Sequence, residues 1–288
     1  MLRIALPNKG RLADETRELF GDAGLEIRSV GDRALTARLG EDFQALFVRA
    51  QDIPEFVADG AADAGVTGWD LVVESGRELH TLLDLTFGRC RLVVAVREES
   101  PVRSVADIPS GARVATVFPR ATADWFRARQ REVEVVPVSG AAEVAPHLGI
   151  ADLVVDLTST GSTLRVNGLR ELDTVLTSTA RLIAAPSLVS GNGARSASLA
   201  ELSAALESVL RARGQRYLMA NVPKAALERV REVLPGLNGP TVIDIMDGGV
   251  HVAVHAVVAA PSVYRTIAAL KALGAEGILV TRIERLMP

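Results

Sequence analysis

Through the first two thirds of this chain, short apolar runs end at polar corners carrying Gly or Pro and give way to helical spacing. That alternation most restricts the fold. Leu2–Leu6 stops at Pro7-Asn8-Lys9-Gly10-Arg11 before a helical pattern through Ala23. Runs at 34–39 and 43–48 precede Arg49 and a helix with Pro54 in its first turn. The run 63–66 meets Thr67-Gly68-Trp69-Asp70, then a helix from Leu71. Strand-like segments follow at 79–85, 90–96, 112–117 and 133–138, with the corner Phe118-Pro119 and a helix from Ala141 carrying Glu143. Further runs at 169–176 and 181–184 precede a Ser/Gly/Ala-rich stretch, 187–198, expected as an exposed loop, and a helix over 199–212. Such alternation predicts an α/β fold with parallel, helix-covered sheets in two lobes, and ligands at the carboxyl ends of the strands. Crossings near residues 90 and 178 make 1–90 with 178–212 one lobe and 91–177 the other. The last stretch, 213–288, reads βαββαβ, a ferredoxin-like unit, with a Met246–Gly249 turn between its middle strands.

The stretch from Asp152 to Leu164 is the densest in chemistry. An apolar strand passes Asp152 and Asp156 and enters Thr158, Ser159, Thr160, Gly161, Ser162 and Thr163 as a helix begins. One reading is a phosphate cradle, because helix N-termini offer unpaired N–H groups and a positive dipole end. The two acids would then hold ribose hydroxyls or a Mg²⁺ carried by a diphosphate. The other reading is an ordinary corner in which Thr or Ser caps the helix. Of 32 cationic residues only Lys9, Lys224 and Lys271 are lysine, which singles out Lys9 beside its glycine corner.

Several chemistries are excluded. A single cysteine, Cys90, rules out an internal disulfide framework and thiolate metal clusters, and it is expected to pack as a small hydrophobe. His251 and His255 share a strand face about 13 Å apart, too far to bind one metal. No nucleophile–base arrangement and no Gly-Lys-Ser/Thr phosphate loop is present. A net charge of −3 gives no nucleic-acid footprint, and no apolar run of membrane-spanning length or leader segment is found, so a cytoplasmic protein is expected.

Residues 2–12, Arg49-x-x-Asp52-Ile53, Gly65-x-x-Gly68-x-Asp70, Gly88-Arg89-Cys90-Arg91-Leu92 and the run from Glu143 through Gly149, Asp156, Thr160-Gly161 and Thr163-Leu164 together resemble the ATP phosphoribosyltransferases. The match spans the chain and includes the long form's C-terminal regulatory domain. The resemblance implies a bilobal, periplasmic-binding-protein-like catalytic region and an ACT-like regulatory unit. It implies the first step of histidine biosynthesis, in which N1 of ATP attacks C1 of phosphoribosyl pyrophosphate with Mg²⁺ present. Lys9, Arg49, Glu143 and Asp156 would form the catalytic set, with Lys9, Arg11 and Arg49 facing phosphates. Thr158–Thr163 would cradle the 5′-phosphate, with Asp152 and Asp156 near the ribose. Asp70, Leu71 and Phe118 would lie near the nucleotide. Histidine would inhibit through Asn221, Leu237, Thr241 and Gly277, AMP is a further nucleotide ligand, and dimers assembling to hexamers are expected. Phe118 stands where family members often carry Tyr, Ala50-Gln51 replaces a common Pro-Lys, and Val242-Ile243-Asp244-Ile245 departs from the usual ending after Thr241. The rival readings are a bilobal nucleotide-binding module without chemistry and an amino-acid sensor built on the C-terminal unit.

Overall fold

The computed structural model describes residues 1–28, 34–246 and 249–287. Two compact units follow one another, Met1–Ser203 and Ala204–Pro288.

In the first unit β1 (Leu2–Pro7) leads through the corner at Lys9 into α1 (Arg11–Asp22). Ala13, Thr16, Leu19 and Phe20 recur at helical spacing on its buried face. Short strands β2 (Ile27–Arg28), β3 (Thr36–Leu39) and β4 (Phe43–Val48) follow, then α2 (Ile53–Ala58), β5 (Ala64–Gly68), α3 (Trp69–Ser75) and β6 (His80–Asp84). The chain then leaves this sheet for β7 (Cys90–Arg97), β8 (Ala112–Thr116), α4 (Pro119–Ala128), β9 (Val133–Pro137), β10 (Leu153–Thr158), α5 (Ser162–Val166) and β11 (Leu169–Ser178). It returns with β12 (Ala180–Ala184), α6 (Pro186–Val189) and α7 (Ala194–Ala212).

The first sheet has the order β2-β3-β4-β1-β5-β12-β6, the second β11-β7-β10-β8-β9. Both are mixed, not parallel as expected. β1 runs parallel to β4 and β5, but β12 is antiparallel to β5 and β6. β8, β9 and β10 run parallel, while β7 opposes β10 and β11. At the edge of the first sheet β3 is antiparallel to β2 and β4. The other antiparallel pairings involve the crossing strands: β6–β7 and β11–β12 each join one sheet to the other, so neither returns through a helix. Two helix boundaries also differ. Glu143 stands on a single 3₁₀ turn, Ala142–Val144, and α6 with the start of α7 replaces most of the expected 187–198 loop.

The second unit contains β13 (Gln215–Pro223), α8 (Leu227–Val233), β14 (Thr241–Asp244), β15 (His251–Ala259), α9 (Val263–Ala272) and β16 (Glu276–Arg282), in the expected βαββαβ order. Its sheet runs β14-β15-β13-β16. Alternate residues Leu218, Ala220, Val222 and Val252, Val254, Ala256 pack with Val230 and Leu270 of the helices and with Leu234, the residue that ends α8. The expected Met246–Gly249 turn includes two positions outside the described residues. His255 accepts or donates at Nδ1 with the Tyr217 hydroxyl, 2.7 Å away, a strand-face contact and not a metal pair. No helix among the described residues is long and apolar enough to cross a membrane.

Candidate active site between the sheets of the first unit

The parallel strands of the first sheet all present their carboxyl ends on one edge. Pro7 pairs with Val48 there, the Asn8 N–H donates to the Val48 carbonyl at 2.9 Å, and the Thr67 hydroxyl donates to the Ala50 carbonyl at 2.7 Å. Lys9, Arg11, Arg49 and Asp70 therefore gather along one rim. β8 and β10 do the same in the second sheet, placing Phe118 and the 158–163 loop on its rim. The crossing segments lie between the rims and bond to each other, Leu85 N–H to Ala180 O and Ala180 N–H to Phe87 O, both at 2.9 Å.

A cavity of about 480 Å³ opens at these crossings, lined by Asp84, Arg89, Cys90, Arg91, Ser159, Ser178 and Arg181 among others. Three guanidinium groups enter it. Arg91 makes a two-pronged bond to Glu171 at 2.8 and 3.2 Å. Arg181 pairs with Asp84 at 3.1 Å and sits over Trp69, yet its Nε is buried without a hydrogen-bond partner. Among the described residues the Arg89 side chain donates only to the Thr86 carbonyl, at 3.3 Å. Guanidinium forks in a half-enclosed space suit phosphate oxygens. Cys90 begins β7 at this wall instead of lying within the core; its thiol is pushed up by burial and then by the nearby Asp70 carboxylate.

The 158–163 loop divides its residues between structure and presentation. Thr158 is buried and its Oγ1 accepts the Gly161 N–H at 2.8 Å, so this hydroxyl closes the turn. Gly161 has φ of +73°, and a Cβ there would lie 2.7 Å from Glu171 Oε1 and 3.0 Å from Arg165 Nη1. Ser159, Thr160, Ser162 and Thr163 are exposed, and Ser159 donates to the Arg89 carbonyl at 3.4 Å, tying the loop to the crossing segment. Ser159 lines the cavity and the Thr160 and Ser162 hydroxyls bond to each other at 2.9 Å, on a turn closed by Thr158 with Glu171 beneath Gly161.

Of the two acids, the structure brings only Asp156 to this place. Asp156 is half-buried inside β10, accepts the Leu157 N–H at 2.7 Å, and is pushed above the usual carboxylate range by burial first and by Glu143 second. Asp152 precedes β10. Its carboxylate accepts the Arg113 N–H at 2.8 Å and pairs with the Arg113 guanidinium at 3.5 Å, at the amino ends of β8 and β10. Four residues of strand span about 13 Å, so one strand end cannot hold both acids. The expected role of Asp152 at the ribose, or at a metal, is withdrawn.

The expected nucleotide corner is closed. Asp70 is 5% exposed, its N–H donates to Ser178 Oγ at 3.0 Å, and the Ser178 hydroxyl donates back to its carboxylate. Burial raises its pKa despite that bond. Phe118 is 4% exposed and packs among Leu92, Val114 and Phe126, with Leu71 against the same cluster. Lacking a hydroxyl to leave in water, the ring turns into the core and offers no face to a base. Lys9 and Arg11 are exposed, Arg11 reaching Glu15 at 3.5 Å, and Arg49, just after β4, is exposed as well. In the second unit Asn221 and Gly277 meet, a Gly277 Cβ falling 3.4 Å from Asn221 Nδ2. Thr241 and Leu237 are exposed, with β15 between Thr241's strand and that of Asn221.

The sequence pattern of the HisG family, described as ATP phosphoribosyltransferase, matches residues 49–208, and that of the HisG C-terminal domain matches 212–285. An ATP phosphoribosyltransferase of Gemmatimonas aurantiaca is 69% identical over the whole of both chains. The chain belongs to the ATP phosphoribosyltransferase family. Its relative from Methanosarcina acetivorans, of the same name, is 48% identical over the whole of both chains. A chain of the ATP phosphoribosyl transferase (HisG:HisZ) complex from Thermotoga maritima superposes with a TM-score of 0.63 at 27% identity, covering 73% of this chain and 99% of that one. The presence of both family patterns makes this the long form. Sequence reasoning missed three groups that line or brace this cavity: Arg181 and Ser178 in its wall, and Glu171 behind Arg91. Arg89 and Arg91 stand inside the quoted Gly88–Leu92 motif.

Proposed function

We infer that this chain transfers the phosphoribosyl group of phosphoribosyl pyrophosphate to ATP, the first step of histidine biosynthesis. The observation that carries the reading is an exposed hydroxyl loop, Ser159 to Thr163, whose first residue lines the same cavity as Arg89, Arg91 and Arg181. The hydroxyls suit the 5′-phosphate and the guanidinium groups suit the diphosphate, with Lys9, Arg11 and Arg49 on the opposite rim for the nucleotide's phosphates.

The chemistry is a displacement at C1. The N1 lone pair of the adenine forms the new N–C bond as the C1–O bond breaks, and that electron pair leaves with pyrophosphate. No side-chain nucleophile is required. The site's work is to hold both substrates in line and to stabilise positive charge at C1 and negative charge on the departing diphosphate. Asp156, with Glu143 behind it, faces the ribose as the negative wall; the arginines take the leaving group.

Mg²⁺ fits this arrangement as a substrate-borne ion. Among the described residues no three His, Cys, Asp or Glu side chains are grouped to hold a metal alone. Asp156 and Glu143 instead leave an acid pair whose mutual repulsion is felt at Asp156, and Mg²⁺ commonly takes one or two carboxylates with substrate phosphates. When bound, the ion would neutralise charge on the diphosphate.

The C-terminal unit is read as the histidine sensor, with the Asn221–Gly277 contact as its inner wall, and AMP as a competitor at the catalytic cleft. Assembly into dimers and hexamers in the cytoplasm belongs to the same reading. The test is release of pyrophosphate from ATP and phosphoribosyl pyrophosphate, repeated with histidine. Mg²⁺-dependent release, suppressed by histidine, is expected; no release at any Mg²⁺ concentration refutes the transferase reading.

A further inference from the structure

Helix α4 begins badly on its own account. Phe118, its N-cap residue, makes no side-chain cap bond, and Pro119 follows at the first helical position. The next two N–H groups, of Arg120 and Ala121, point out of the helix with no intrahelical acceptor. Both are satisfied from the other lobe. Glu74, near the end of α3, accepts the Arg120 N–H at 3.0 Å and the Ala121 N–H at 2.9 Å, one on each carboxylate oxygen. An anion at the positive end of a ten-residue helix is favourably placed. Arg120 returns the contact: a Cβ on Gly76, the C-cap of α3, would lie 2.4 Å from its guanidinium carbon, so the cation rests against the negative end of α3.

The same short helix is anchored at its start by the Asp70–Ser178 bonds to β11 and by the Trp69 N–H to the Thr179 carbonyl at 3.0 Å. Along its length Val72 packs with Ala5, Ile53, Val57 and Ile183 under the first sheet, while Leu71 and Val73 pack on the cluster of Phe118 and Trp125 under the second. α3 thus belongs to two cores, and the Glu74 cap is the polar contact joining its far end to the second lobe.

We propose that Glu74 is a positioning residue, whose cap on α4 holds the two rims of the cleft at the separation that two substrates must bridge. The proposal rests on the transferase reading. Substrates that bind only the closed cleft lose apparent affinity in proportion to the closed fraction, whereas a saturated enzyme is closed by its ligands. Losing a helix cap is expected to shift such a balance about 3- to 10-fold.

Steady-state kinetics of wild type, Glu74→Ala and Glu74→Gln test this, with amide hydrogen exchange on the same proteins. In Glu74→Ala the KM values for ATP and for phosphoribosyl pyrophosphate should rise together, by up to about 10-fold as the closed fraction falls, with kcat within about twofold of wild type. Exchange should quicken at the Arg120 and Ala121 amides. Glu74→Gln keeps an acceptor without the charge, so it should recover part of the KM and guards against a folding defect in the alanine variant. Unchanged KM values in an active enzyme, or a lower kcat at constant KM with a lowered Tm, would overturn the positioning role while leaving the transferase reading intact. A wild type that releases no pyrophosphate would remove both.

Discussion

Gly161→Ala should separate the shape of the 158–163 loop from the general cost of a left-handed residue. Gly161 and Gly168 have similar backbones, φ +73° and +62°, so alanine at either costs about 1–2 kcal/mol of stability. For a unit of this size that is a fall of roughly 3–6 °C in Tm. Their surroundings differ. Around Gly168 the nearest atom to a new methyl is His147 Cε1 at 3.7 Å, an ordinary contact. At Gly161 the methyl meets Glu171 Oε1 at 2.7 Å, and that carboxylate holds Arg91 at 2.8 and 3.2 Å. Either Glu171 swings away, loosening Arg91 in the cavity wall, or the loop lifts, moving Ser159–Thr163. A displacement approaching 1 Å at a reacting centre costs on the order of 100-fold in rate. We therefore expect both variants to lose similar stability in thermal unfolding. kcat/KM for phosphoribosyl pyrophosphate should fall roughly 30- to 100-fold in Gly161→Ala and stay within about twofold of wild type in Gly168→Ala. Equal kcat/KM values in the two variants would refute the argument that Glu171 shapes the loop.

Three further outcomes follow from the same geometry. Asp156→Asn should cut turnover about 10- to 100-fold, the loss of a charge-assisted contact, yet unfold at a higher temperature at pH 7. Since burial raises the Asp156 pKa, the folded state holds its proton longer than the unfolded one, and wild-type stability falls as pH rises from the unfolded value toward the folded one; the stability gap between Asp156→Asn and wild type should close in acid, below the unfolded carboxylate pKa, and a constant gap would contradict this. Asp152→Ala breaks an exposed pair with Arg113 and should cost at most about 1 kcal/mol, with kcat/KM within twofold of wild type; a large loss of turnover would return Asp152 to the site. Ser178→Ala removes the hydroxyl that stabilises the buried Asp70 carboxylate and should destabilise by about 1–3 kcal/mol in denaturant unfolding at pH 7. The loss should shrink as pH falls through the raised Asp70 pKa, where the carboxyl is neutral in both proteins.

The elements of the fold were legible wherever periodicity was strong. Leu2–Leu6, the alternation in β15 and the Leu19–Phe20 face of α1 announce their classes, because burial on one face imposes a period on the side chains. Strand direction was not legible. β7 and β12 read as apolar runs like the others, and nothing in their composition says that they oppose their neighbours; that follows from their being the strands by which the chain changes sheet. The site was legible as a loop and as rims, but not as contacts. The hydroxyl row was visible because its residues are consecutive, whereas Glu171 and Ser178 act from β11 and look like ordinary polar positions on a strand.

Two misplacements arose from treating nearness in sequence as nearness in space. Asp152 and Asp156 look paired on paper, but an extended chain leaves Asp152 before β10 and carries Asp156 about 13 Å on, into its second half. Phe118 looks available because it sits at a corner, but it is the last inward residue before α4, and an all-carbon ring at such a place is driven into the core. The helix that joins the lobes did carry a signal. Leu71, Val72 and Val73 are three consecutive apolar residues in a seven-residue helix. Successive helical positions turn by about 100°, so these three sweep roughly 200°, about twice the apolar stripe of a helix that packs on one side. Such a helix must bury two faces or leave one wet. With only one sheet beneath it, α3 needs a second core to cover Leu71 and Val73, and the lobe carrying Phe118 and Trp125 supplies it. The acid on the next residue, Glu74, then lies where that second lobe begins a helix without a cap of its own. On this argument the separation of the two rims is set by the packing of one helix, and substitutions at Leu71 or Val73 should act on substrate affinity through the same equilibrium as Glu74.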